Sequence, residues 1–581
     1  MELKYTDEKN VLMLISLLKE YGIRKIIVSP GTTNFTFVGS VQNDNFFQLF
    51  SCVDERSAAY MACGMAAESG EPIAITCTGA TASRNYLPGL TEAYYRKLPI
   101  LAICGHRGVS AIGHLHDQQI DRRNEPIDVA NAQVWLPFVR DKEDERLCYN
   151  EITKAILALT AHGGGPAIVN LCTHYSRNMT IQELPKTSKV DYYTAEDSLP
   201  KLPEGRIAIV VGSHNRFSYE ETKIIDTFCS QYNAVVICDH TSGYYGKYAV
   251  HAGLIFGQEK HSELVCADLC LSVGEISGDI GVSSMWSPIV WRIGEDGIFR
   301  NRTNNVTKVF EMSLVYFCKQ YISNRPLQDE YLQSFKNAYE EVYSQIPELP
   351  FSNIWIAQQL SSKLPENSNL YLGILGSLRS WNFFQLPQGV EGYSNVGGYG
   401  IDGTISSAIG QAIVNPDKLI YCVLGDLAFF YDMNALGNRH IGNNLRILII
   451  NNGLGDEFRV YDNPTGFMGE MVRPYIAAEG HYGHQSKTLV KSFSESLGYK
   501  YIVADDKQSF NSVVNDFVDP EIKQSIIFEV MIRPEDDTEA LDTIKHILVN
   551  TQNFSLKKRL KTAIKESIGE DKIAALHTLL K

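Results

Sequence analysis

Apolar residues in this chain follow two rhythms. Short continuous runs rich in Val, Ile and Leu occupy 25–29, 73–77, 100–104 and 167–171, then 207–211, 234–238 and 269–273, and finally Val423-Leu424 and 447–450. Runs of this length, bounded by polar turns, predict strands buried on both faces, the habit of parallel sheets. Between them apolar residues recur at helical spacing, clearest at 10–19 and in the charged stretch 327–345. The alternation predicts an α/β fold of doubly wound parallel-sheet units covered by helices on both faces.

Breaks in the rhythm divide the chain. The polar segment 173–205, with Pro185, Pro200 and Pro203, reads as a linker, and Pro347-Glu348-Leu349-Pro350 marks a second boundary. The expected domains are 1–180, 190–340 and 350–540, followed at 541–581 by a helical C-terminal extension that carries Leu556-Lys557-Lys558-Arg559-Leu560-Lys561. In the middle unit Gly212, Gly274 and Gly278 do not form a GxGxxG fingerprint, so it reads as mainly structural.

The third unit carries the densest chemistry. Gly425-Asp426-Leu427 follows one apolar run and Asn452 closes the next, with a helix expected over 433–442 between them. Two such strands would end at a common ligand crevice. Asp426 offers a hard anionic oxygen and Asn452 a neutral carbonyl oxygen, a pairing suited to octahedral Mg²⁺ that also keeps oxygens of a diphosphate. Backbone N–H groups after Gly425 add anion-binding capacity. The same residues are also ordinary turn and capping chemistry. In the first unit Asp54-Glu55-Arg56-Ser57-Ala58-Ala59 places a glutamate at the start of a small-residue helix, where a surface capping role is the plainer reading.

Taken in order, Ser29-Pro30-Gly31, Asp54-Glu55-Arg56-Ser57-Ala58-Ala59, Asn85-Tyr86-Leu87-Pro88, Gly400-Ile401-Asp402-Gly403, Gly425-Asp426-Leu427 and Asn451-Asn452 resemble the thiamine-diphosphate-dependent decarboxylases and carboligases. Within them the chain is most similar to the menaquinone-pathway SEPHCHC synthases. The resemblance spans about 21–532 and is faint between 180 and 350. It implies a pyrimidine-binding first domain, a Rossmann-like central domain, and a third domain that binds the diphosphate and Mg²⁺.

It also implies roles. Glu55 matches the glutamate that hydrogen-bonds the aminopyrimidine ring, and Ser29, Pro30, Gly31, Thr78 and Asn85 accompany it around that ring. Ile401 matches the apolar prop that bends the cofactor, although core packing competes for it. Gly425, Asp426, Leu427, Asn452 and the carbonyl of Leu454 match the diphosphate and metal site, with leucine standing where the family usually has glycine. Arg107 and Gln118 match acceptor-pocket positions, and His114 or His116 is a candidate proton-transfer group, though a loop histidine is more often merely exposed. Because glutamate and metal site lie in different domains, the resemblance implies active sites between subunits and hence a homo-oligomer.

The departures concern substrate recognition. Thr32-Thr33 stands where the family has Ser-Arg, and two further arginine positions align with Val396 and Trp381, although Arg379 lies close by. Losing charge-assisted hydrogen bonds worth roughly 1.5–3 kcal/mol each weakens dicarboxylate recognition. The reading is therefore decarboxylation of a 2-oxo acid with acyl transfer to a carbonyl or alkene acceptor. The alternatives are a true SEPHCHC synthase using 2-oxoglutarate and isochorismate, a simple decarboxylase, and a noncatalytic cofactor-binding protein.

Composition narrows the field. With 581 residues, 44 % hydrophobic, the chain can bury several cores, and a net charge of −14 argues against nucleic-acid binding. Twelve cysteines lie scattered without a CxxC pair, which fits reduced thiols. No apolar span of about 20 residues and no signal-type N-terminus is present, so a cytoplasmic protein without a transmembrane segment is expected.

Overall fold

The computed structural model describes residues 3–459, 463–482 and 485–548. Residues 549–581, most of the expected helical extension, lie outside these. The chain divides into two compact units, one of 1–200 with 289–313 and the other of 201–288 with 314–581.

In the first unit six strands form a parallel sheet: β1 (Lys25–Val28), β2 (Gln48–Ser51), β3 (Ile73–Thr78), β4 (Ile100–His106), β5 (Ala132–Leu136) and β6 (Ala167–Cys172), in the order β2-β1-β3-β4-β6-β5. β3, β4 and β6 are buried along their whole length, as their largely apolar composition favours, with Thr76, Thr78, His106 and Asn170 the polar residues buried among them. One face is covered by the helices Lys9–Glu20 and Lys142–Leu157, the other by Glu55–Ser69 and Leu87–Arg96.

The segment expected to be a linker contains a strand, β7 (Asp191–Thr194). Further strands follow as β8 (Ile207–Val211), β9 (Ala234–Cys238), β10 (Ala249–His251), β11 (Leu269–Val273), β12 (Val290–Gly294) and β13 (Val306–Glu311). β7 pairs with β13 inside the first unit. Its polar sequence hides a sheet edge held by particular side chains: Lys308 Nζ reaches Asp191 at 2.6 Å, and Tyr193 stacks on Phe310. β9 lies between β8 and β10, and β8 between β9 and β11, in the second unit.

The second unit also holds β14 (Asn369–Leu372), β15 (Glu391–Ser394), β16 (Ile420–Gly425), β17 (Leu445–Asn451), β18 (Lys500–Ala504) and β19 (Ile526–Met531), in the order β15-β14-β16-β17-β19-β18. This repeats the strand order of the first sheet. The chain thus carries three parallel sheets with flanking helices. Among the described residues no helix is long and apolar enough to cross a membrane.

The helix expected over 433–442 sits elsewhere. It begins at once after β16, as Asp426–Asp432, and gives way to a tighter turn at Met433–Gly437. Ala428 and Phe429 are the apolar pair that pulls this stretch onto the sheet, whereas Gly437, Asn438 and Gly442 discourage a helix further on.

Candidate active site

In the second unit the site is built by register. Gly425 at the end of β16 lies opposite Ile450 on β17, so Asp426 and the asparagines leave their strands side by side. Asn451 turns inward, where its amide donates to Glu529 at 2.7 Å, and Asn452 faces the crevice. Gly453 adopts φ +79°, which glycine tolerates freely, and its N–H donates to Asp426 Oδ2 at 3.1 Å. The N–H of Leu454 donates to Asn452 Oδ1 at 3.3 Å. Leucine fits where glycine was expected, because its side chain packs with Val472 and Ala477.

Asp426 is buried, and that burial pushes its carboxyl up to about 7 despite three backbone N–H groups that favour the charged form. A buried carboxylate with no cationic side chain bonded to it is a ready partner for a divalent ion. Among the described residues no cluster of three or more His, Cys, Asp or Glu groups forms a metal site; Asp426, Asn452 and Leu454 line the crevice and could offer a mixed set of carboxylate and carbonyl oxygens. This all-oxygen set suits Mg²⁺. The crevice beside it has a volume of about 180 Å³ and opens at the carboxyl ends of β14, β16 and β17. Ile401 lines it and also packs against the core on either side.

Sequence reasoning missed the crevice's ionic wall. Arg379 grips Glu457 through both Nη atoms, at 3.2 and 2.8 Å, and Asp456 lies 3.3 Å from Arg459. Asp537 accepts the N–H of Asn353 at 2.6 Å. Burial raises Asp537 to about 7 and Asp456 to about 6. Trp381, which aligns with a family arginine, is buried in the core instead. The pairing of Arg379 with Glu457 spans too many residues to be read from local spacing.

In the first unit the strand ends gather a second set. Glu55 opens the helix Glu55–Ser69, but the capping role falls to Asp54, whose carboxylate accepts the Ser57 N–H at 2.7 Å. Glu55 Oε2 instead accepts the amide of Asn85 at 3.3 Å. Ser29 and Thr78 are buried at the ends of β1 and β3, while Pro30 and Gly31 are exposed beside them. Gly31 has no room for a side chain, since a Cβ there would meet Thr78 Cγ2 at 1.9 Å.

Thr33, found where the family has arginine, is a buried bolt. Its hydroxyl donates to the Gly105 carbonyl at 3.0 Å and accepts the Gly79 N–H at 3.3 Å. Arg107 pairs with Asp117 at 2.8 Å and lies over the Tyr175 ring, whereas His114, His116 and Gln118 are exposed on the loop that follows. Arg122 is buried near Trp135 and went unnoticed in the sequence because its surroundings come from distant strands. Neighbouring His106 is buried too; burial first, then Arg122, lowers it to about 4.

Residues 11–124 match the thiamine pyrophosphate enzyme N-terminal TPP binding domain. The chain is similar to thiamine-diphosphate-dependent enzymes in this N-terminal part, and its curated relatives extend the similarity along most of its length. Over 94 % of its length it is 29 % identical to the 2-succinyl-5-enolpyruvyl-6-hydroxy-3-cyclohexene-1-carboxylate synthase of Phocaeicola vulgatus, covering 99 % of that protein. The enzyme of the same name from Bacteroides thetaiotaomicron is likewise 29 % identical over 94 % of the chain and 99 % of its own length. That of Flavobacterium johnsoniae is 26 % identical over 86 % of the chain and 91 % of its own length.

Proposed function

We propose that this chain decarboxylates a 2-oxo acid and transfers the resulting acyl unit to a carbonyl or alkene acceptor, using thiamine diphosphate held through Mg²⁺. The observation that carries the reading is the bond from Gly453 to Asp426, which draws the two strand exits into one oxygen-lined crevice. Bound there, thiamine diphosphate would supply a nucleophilic thiazolium carbon and an electron sink for loss of CO₂ from a 2-oxo acid.

The protein's part is positioning and proton control. Asp426, Asn452 and the Leu454 carbonyl would hold the metal, and Gly425 and Leu427 would take the diphosphate. Ile401, on the crevice wall, would serve as the apolar prop for the cofactor. Glu55, steadied by Asn85, holds a proton at the pyrimidine ring, within the pocket shaped by Ser29, Pro30, Gly31 and Thr78. Arg107 and Gln118 line the acceptor side, and His114 or His116 moves a proton at the acceptor oxygen.

Glu55 of one chain and Asp426 of another serve one cofactor in this reading, so the working species is a homo-oligomer. Exposed Tyr60 and Met61, on the helix that Glu55 opens, support a subunit contact on this face. Its twelve unpaired thiols support a cytoplasmic location.

The identity to SEPHCHC synthases favours a second reading, with 2-oxoglutarate as donor and isochorismate as acceptor. Following CO₂ release from pyruvate, 2-oxobutyrate and 2-oxoglutarate, with and without acceptors, tests both. Acceptor-dependent release supports ligation, turnover with 2-oxoglutarate and isochorismate supports the second reading, and acceptor-independent release of free aldehyde supports simple decarboxylation. No release with any pair contradicts an enzymatic role.

A further inference from the structure

The crevice beside Asp426 has a wall whose charges are already committed. Among the described residues Arg379 is the only basic side chain lining it, and both its Nη atoms are taken by Glu457. The side chains of this pair are each 19 % exposed, so water screens the pair only partly. Asp456 and Asp537 share the wall; the rest of the lining includes the apolar Ile354, Ile374, Leu375 and Phe458 and the neutral polar Asn353, Ser377 and Ser380, none of which carries a positive charge. Asp426 stands apart from this count, because a bound divalent ion matches its charge. Behind the Arg379–Glu457 pair lies a second cavity of about 520 Å³, lined by Asp279 and Lys545 among others.

We infer that the donor taken in this crevice is a 2-oxo acid whose side chain bears no negative charge, and that Glu457 sets this preference by occupying Arg379. The inference rests on the proposed function and narrows its substrate class. A donor with a second carboxylate would bring that group against Asp456 and Asp537, where the two-point Nη edge of the Arg379 guanidinium is already held by Glu457. To gain a two-point ion pair through that edge it would displace Glu457 and leave that carboxylate part-buried without a partner. A short uncharged chain meets the apolar part of the wall and makes no such demand. Glu457 thus acts by exclusion as well as by pairing.

The test uses the full chain loaded with thiamine diphosphate and Mg²⁺, after thermal stabilisation has shown that the cofactor binds. Binding of methyl acetylphosphonate and of succinylphosphonate is then measured by calorimetry, alongside CO₂ release from pyruvate, 2-oxobutyrate and 2-oxoglutarate. The expected result is a preference of about 10- to 100-fold for the uncharged probe and donors. Glu457→Gln, which keeps the size but frees Arg379 from an ion pair, should shrink that preference by about tenfold. Equal or tighter binding of succinylphosphonate by the unaltered protein overturns the inference, as does a Glu457→Gln preference that has not moved or a failure of both probes to bind. Absence of cofactor binding is a separate result that removes the proposed function itself.

Discussion

Asn85 and Glu55 are joined by a 3.3 Å hydrogen bond that links the helix Thr81–Asn85 to the first residue of Glu55–Ser69. Both residues carry the family resemblance, and the bond fixes the carboxylate as an acceptor while Asp54 satisfies the helix end. Glu55→Gln should therefore leave the fold and cofactor binding intact, yet slow exchange of the thiazolium proton by about 10²–10⁴-fold. Exchange at a near-normal rate, followed by NMR in heavy water, would contradict the role given to Glu55.

Asp426→Ala removes the one anionic donor of the proposed metal site. Retention of thiamine diphosphate in the presence of Mg²⁺ should fall by more than about 100-fold, with the folded state preserved. Equilibrium dialysis with and without a chelator reads this directly. An affinity that stays the same would move the metal elsewhere.

The strands of this fold were legible because their burial leaves continuous apolar runs; β8, β9 and β11 occupy the stretches expected for them. β7 was not, since it is held by the Asp191–Lys308 ion pair and by Tyr193 on Phe310, partners that lie far off in sequence. The helix Asp426–Asp432 was misplaced because seven residues are too few to show a period. Asp426 and Asn452 could be read together because each ends a strand, whereas Thr33, Arg122 and the Arg379–Glu457 pair depend on tertiary neighbours that no local pattern announces.

Close packing of the helices Glu55–Ser69 and Leu87–Arg96 depends on Gly89. A Cβ at this position would lie 2.4 Å from Ala59 Cβ and 3.0 Å from the Ala59 carbonyl carbon, which a backbone shift must relieve. Gly89→Ala should cost about 1–3 kcal/mol, read as a lower midpoint in urea at unchanged slope. A stability equal to or above that of the unaltered protein would refute this packing.

His106 makes the first unit acid-sensitive. Its folded value of about 4 lies below the ordinary histidine range, so between roughly pH 6.5 and 4 the unfolded chain binds a proton that the native state refuses. Stability is full above that window and is lost as pH falls through it, at up to about 1.4 kcal/mol per pH unit. His106→Asn, which keeps an acceptor for the Gly108 N–H, should flatten this slope. A stability loss between pH 7 and pH 5, from denaturant titrations, that is the same in the variant and the unaltered protein would show that His106 is not the source.

Calorimetric titration of the full chain with thiamine diphosphate, with Mg²⁺ present and again after chelation, tests the central claim most directly. The account predicts saturable binding at one cofactor per chain that requires the metal, together with a raised melting temperature. Neither heat nor stabilisation at any Mg²⁺ concentration would contradict it.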